Sequence, residues 1–183
     1  MAYTSAQIVQ AVPTGINSAL VLIKTATVTS VANTGSTWQS VLTSTYTNYL
    51  FIGTQFFAAN NNQSAYISLY YSGTTEQTTG YYGGVSLCSI GGVTSRLGKN
   101  NASSFNFMSS VSDAGASSSF ILNIANVGTS TTPTFTIQAN GSYSAIAHNG
   151  AGTSSTARTY DGFLIKPGAG NITLTGSLYG YTK

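Results

Sequence analysis

This sequence predicts an all-β fold, a single-domain jelly-roll β-sandwich of about eight to ten strands. Three observations predict it. Short runs rich in Val, Ile, Thr, Tyr and Phe alternate with period two. Clusters of Gly, Asn, Ser and Pro separate those runs at intervals of roughly 10 to 20 residues. No stretch of ten residues carries the 3.6-residue apolar period of an amphipathic helix. The long connections favour a jelly roll over an up-and-down barrel, which prefers tight hairpins.

The elements follow in order. Residues 1–15 read as an N-terminal arm ahead of a sandwich over 16–183. Ser18 to Val31 (SALVLIKTATVTSV) is β-branched and apolar on both phases at its start, which predicts a strand buried on both sides there. Tyr49 to Phe57 is an aromatic strand suited to a sandwich interior. Ala58 to Gln63 reads as a polar loop, and Ala65 to Tyr71 alternates cleanly. Tyr81 to Ile90 is a strand in which Gly83 and Gly84 suggest a bulge, with Cys88 expected as a small buried hydrophobe. Asn100 and Asn101 read as the end of a loop, Phe105 and Phe107 mark a strand, and Phe120 to Val127 and Phe135 to Ala139 repeat the alternation. Asn140-Gly141 predicts a hairpin turn, because both residues accept positive φ. His148 to Thr156 (HNGAGTSST) reads as a flexible loop. Tyr160 to Lys183 then gives strand, turn and strand around Pro167 to Gly170, with Ile172, Leu174 and Leu178 inward and Thr173, Thr175 and Tyr179 outward.

Composition narrows the function. Only 5% of the residues are charged, against about 25% in ordinary soluble proteins, so the surface is built of hydroxyls, amides and tyrosines. Such a surface suits a subunit held in a large assembly. The six Lys and Arg residues are scattered, which excludes the basic stripe that nucleic-acid binding requires. There is no membrane-length apolar run and no signal peptide pattern, so a cytosolic product is expected. One cysteine allows no intrachain disulfide.

Acids and histidines are too few for ordinary hydrolytic chemistry. Glu76, Asp113 and Asp161 are the carboxylates and His148 is the sole histidine, so paired-acid, triad and His-metal sites are not expected. Asp161, followed by Gly162, reads as a turn former. On this basis the chain is expected to be no enzyme, with no catalytic residue, metal or cofactor. Twelve tyrosines offer flat amphipathic faces instead. Tyr70 and Tyr71 precede one loop and Tyr81 and Tyr82 follow it, while Tyr179 and Tyr181 stand on the polar phase of the last strand. These six are the candidate residues for subunit contact or glycan stacking.

The segments SALVLIKTATVTS, TGYYGGV with NNASSF, and YDGFLIKPGAGNITLTGSLYGYTK resemble a set of tailed-bacteriophage virion proteins. Members open with a GLVLIKT-like strand and close on a DGFxIxxxxGNITGxxxxYGYK pattern. The likeness runs from Ser18 to Lys183, and this chain departs from it at Ser18-Ala19 and at Leu174, where Gly is common. The resemblance implies a β-sandwich component of the particle, of head-decoration or tail-fibre type, located in the virion after synthesis in the host cytoplasm. Its implied partners are the major capsid protein and copies of itself, as a homotrimer or other small oligomer. A tail-associated receptor-binding protein that recognises host glycans is the alternative.

Overall fold

The computed structural model describes residues 20–34, 37–89, 92, 94–112, 117–127, 130–141 and 145–181. The predicted arm at 1–15 and Asp113 lie outside these residues. Among them there are twelve strands and no helix: β1 (Val21–Val31), β2 (Asn48–Ala58), β3 (Gln63–Tyr71), β4 (Thr75–Glu76), β5 (Tyr81–Cys88), β6 (Thr94–Ala102), β7 (Phe105–Val111), β8 (Ser118–Ala125), β9 (Thr134–Gly141), β10 (Ile146–Ser154), β11 (Gly162–Pro167) and β12 (Ile172–Tyr181). They form an eight-stranded sheet in the order β1-β12-β2-β8-β9-β10-β5-β6 and a smaller sheet of β11, β3, β4 and β7, in which β4 and β7 both pair with β3. The chain crosses repeatedly between the two sheets, so the fold is an all-β sandwich.

Alternation places the core. On β12, Ile172, Leu174, Gly176, Leu178 and Gly180 are buried, while Thr173, Thr175, Ser177, Tyr179 and Tyr181 are half-exposed on the outer phase. Phe51 and Phe56 of β2, Phe120 and Leu122 of β8, and Phe135 and Ile137 of β9 continue the inner face of the large sheet. Ile67 and Leu69 of β3 and Phe163 and Ile165 of β11 face them from the small sheet. Aromatic rings join the layers: Trp38 stacks on Phe163 at 5.7 Å and meets Phe51 edge-on at 4.8 Å. Phe120 touches Phe51, Phe56 and Phe107.

Several sequence expectations are corrected by this architecture. The strands exceed the expected ten because β4 has only two residues, because β6 reads as a loop, and because His148 to Ser154, most of β10, reads as a loop too. The small, polar composition of β10 concealed it. Its Gly150 lies so close to β5 that a Cβ there would meet the Val85 backbone, and its Gly152 so close to β7 of the other sheet that a Cβ there would meet the Phe105 ring. Glycine is here the residue that lets a strand approach, not one that breaks it. β9 and β10 do pair antiparallel, but Asn140 and Gly141 are not a turn: they end β9 and pair with Ala147 and Ile146. Near Gly83 the β5–β6 register does shift.

The terminal strands are not a hairpin. β11 pairs with β3 in the small sheet, whereas β12 lies between β1 and β2 in the large one. The break at Pro167 to Gly170 carries the chain across the sandwich. β1 turns one phase outward, so its start is not buried on both sides: Leu20 is 47% and Leu22 is 41% exposed. Cys88 sits on the outer phase of β5 and is exposed rather than buried. The edge of β11, by contrast, is covered. Thr34 donates its backbone N–H to the Ile165 carbonyl at 2.9 Å and Phe163 N–H donates to the Trp38 carbonyl at 3.2 Å.

Candidate functional surface

The six candidate tyrosines do not converge. Tyr81 is fully buried and its hydroxyl accepts the Leu69 backbone N–H at 2.7 Å, with burial pushing its pKa well up. Tyr70 is 8% exposed, and burial, helped by the Glu76 charge, raises its pKa too. Neither can serve as a contact or stacking platform, because the loop they flank folds them into the sandwich. The Arg158 guanidinium stands 4.0 Å from the ring centroid of Tyr71 and occupies that face. Tyr82 points outward on β5, while Tyr179 and Tyr181 do so on β12. Five strand spacings separate β5 from β12, about 24 Å at 4.8 Å each.

Asp161 does not bond its own turn. Its Oδ2 accepts the Gly73 backbone N–H at 2.6 Å, while its backbone N–H donates to the Tyr70 carbonyl. It therefore ties the turn after β3 to the start of β11. Glu76 pairs with Lys166 at 2.8 Å across the small sheet. His148 faces the core from β10 and is 2% exposed. Its Nε2 accepts the Ser109 backbone N–H at 3.0 Å, which puts the ring proton on Nδ1.

Burial lowers the His148 pKa, opposed by the backbone carbonyls of Ile146 and Ala139. A folded-state pKa below the unfolded 6.5 means that the unfolded chain binds the extra proton. This contribution to stability is whole above about pH 6.5 and falls as the pH drops below it. The thermal midpoint should therefore decline from pH 7.5 to pH 5, and His148→Gln should flatten that part of the profile.

What the sequence reading missed is the outer face of the large sheet. Cross-strand pairing sets Ile52 of β2 opposite Ile121 of β8, Ile121 opposite Gln138 of β9, and Gln138 opposite Asn149 of β10. Ser119 and Asn140 form the neighbouring pair. These residues border an open groove of about 600 Å³. Ile121 is 41% exposed at its centre. Asn140 is held in place, since its Oδ1 accepts both the Ser119 backbone N–H at 2.6 Å and the Ser119 hydroxyl at 3.0 Å. The signal lay in the polar phases of Phe120 to Val127 and Phe135 to Ala139, which alternate with the core residues. A second outward stripe runs along the β1 end, where Leu22 opposes Tyr179 and Tyr179 opposes Leu50.

No family model matches the chain, and no curated protein matches it. Among solved structures, an alginate lyase from Alteromonas sp. 272 is similar over 78% of this chain and 75% of that chain, at 11% identity and a TM-score of 0.28. The expectation that the chain is no enzyme is set aside, and no activity is assigned in its place. A TM-score of 0.28 transfers no activity either, and the chemistry of this chain is read from its own residues.

Proposed function

We propose that the chain is a structural component of a bacteriophage particle, a head-decoration (cement) protein that clamps neighbouring capsid subunits. The observation that carries this reading is the placement of its exposed apolar side chains. Leu22 stands on the edge strand β1 and Leu20 directly before it, beside Tyr179 of β12. Exposed apolar stripes of this kind mark protein contacts. β1 has β12 on one side and no strand on the other among the described residues. Its only charged residue, Lys24, is turned toward the Thr37 carbonyl and the Trp38 ring, so it does not guard the open edge in the way charged residues commonly do.

The partners on this reading are the major capsid protein and further copies of the chain, arranged as a trimer or other small oligomer. The mechanism is burial of strand edge and tyrosine rings at the contact. Repetition around a particle multiplies a modest interface into large collective stability. The resemblance of the opening and closing segments to virion proteins supports the same reading.

Two measurements test it. Stoichiometry against the major capsid protein in purified particles should approach that of a component distributed over the whole shell, and a count confined to one vertex or tail would sink the cement assignment. Leu22→Asp should weaken association with the shell, or with copies of the chain, by at least about tenfold, equal to about 1.4 kcal/mol. Light scattering and particle binding report this directly. Unchanged association would remove β1 from the interface.

A further inference from the structure

We propose that the groove on the outer face of β2, β8, β9 and β10 is a binding site for an uncharged oligosaccharide. It is separate from the β1 stripe and uses none of the six tyrosines. Three features carry the inference. The first is the floor, where Ile52 and Ile121 face each other across neighbouring strands. Together they form a small aliphatic platform of the size that the C–H face of a sugar ring covers.

The second is the set of polar groups around that platform. Gln138 and Asn149 are directly opposite one another, and neither side chain has a hydrogen-bonded partner among the described residues. Each amide offers a donor pair and an acceptor side by side, which matches the adjacent hydroxyls of a sugar. Asn140 adds a directed donor. With its Oδ1 engaged by Ser119, its NH₂ group is left to face a ligand, and its orientation is fixed before binding. Preorganised polar groups cost less ordering entropy on association.

The third is charge. Among the described residues, no ionised side chain borders the groove. His148, whose backbone borders it, turns its ring into the core toward Ser109, and its lowered pKa keeps that ring neutral at pH 7. An anionic ligand would find no counter-charge here, and a cationic one no carboxylate. A hydroxyl-rich neutral ligand loses nothing by that. The volume of about 600 Å³ falls in the range of small-ligand clefts, which are mostly apolar with a few placed polar groups. The site is independent of where the chain sits in a particle.

Affinity electrophoresis of the full chain tests the inference, using gels that contain dextran, mannan or laminarin as uncharged probes and polygalacturonate as an anionic one. Retardation is expected in at least one uncharged gel. The double substitution Gln138→Ala with Asn149→Ala should reduce that affinity at least tenfold, and Ile121→Asp should do the same. All three positions are solvent-facing, so the variants should keep the parent's circular dichroism spectrum and thermal midpoint. The inference is overturned by any of three results: no retardation in any uncharged gel, equal retardation of parent and double variant, or retardation only in polygalacturonate that salt abolishes. The last would assign binding to scattered surface cations.

Discussion

Leu174→Asp is expected to yield no folded protein. Leu174 is 1% exposed in the middle of β12, with Phe56 of β2 opposite it on one side and Val28 of β1 on the other. A carboxylate there loses the transfer energy of a leucine, about 2 to 3 kcal/mol, and adds an unpaired buried charge that costs several kcal/mol more. The sum is comparable to the whole stability of an ordinary domain, about 5 to 15 kcal/mol. Soluble expression and circular dichroism would show the loss. Thr175→Asp is the matched control. Its side chain lies on the outer phase near Thr27 and Gln55, so the fold should survive. A native spectrum for the Leu174 variant would mean that the inner and outer phases of β12 are wrongly placed.

Gly150→Val should cost about 3 kcal/mol, at the upper end of what overpacking usually costs. A side chain at Gly150 would meet the backbone of Gly84 and Val85 on β5. Backbone in the middle of a paired sheet cannot step aside as a flexible side chain can. β10 and β5 must separate locally, and both lie between the core aromatics and the β6 edge. Chemical denaturation would read the loss as a shifted midpoint. Gly98→Ala on β6 is the contrast, because nothing lies within 4 Å of a Cβ there. Strand glycines of that kind weaken a sheet by roughly 0.5 to 1 kcal/mol relative to Ala, so this change should be neutral or stabilising.

These two glycines show where the sequence was legible and where it was not. Apolar alternation identified Phe120 to Val127 and Ile172 to Leu178 as strands with their correct inner phases, because burial on one face writes a period of two into side-chain type, and identified Ala65 to Tyr71 as a strand, although Ser68 and Tyr70 of its other phase are buried as well. β10 wrote no such signal. Its inward positions are His148, Gly150 and Gly152, small or polar residues whose place is set by Val85 and Phe105 on other strands. Partner choice was equally hidden: nothing local in Gly162 to Tyr181 says that β11 and β12 join different sheets. The tyrosines were visible as residues, but the burial of Tyr70 on β3 and Tyr81 on β5 is set by the folded sandwich and not by local sequence. The groove was missed because its amides come from two strands, β9 and β10, whose register only the folded sheet fixes.

The position of β12 between β1 and β2 also sets an order of events in synthesis. β1 and β2 do not touch each other in the sheet; each pairs with a strand that leaves the ribosome only after everything from Ala59 to Asn171 has been made. Until then β1 and β2 have their shared neighbour missing, and β1 has no partner among the described strands. Contacts of such long sequence separation slow folding, and waiting strand edges invite pairing with the wrong chain. The chain thus completes its large sheet by inserting a late strand between two earlier ones, which leaves the facing edges of β1 and β2 open in the nascent molecule and paired in the finished sandwich.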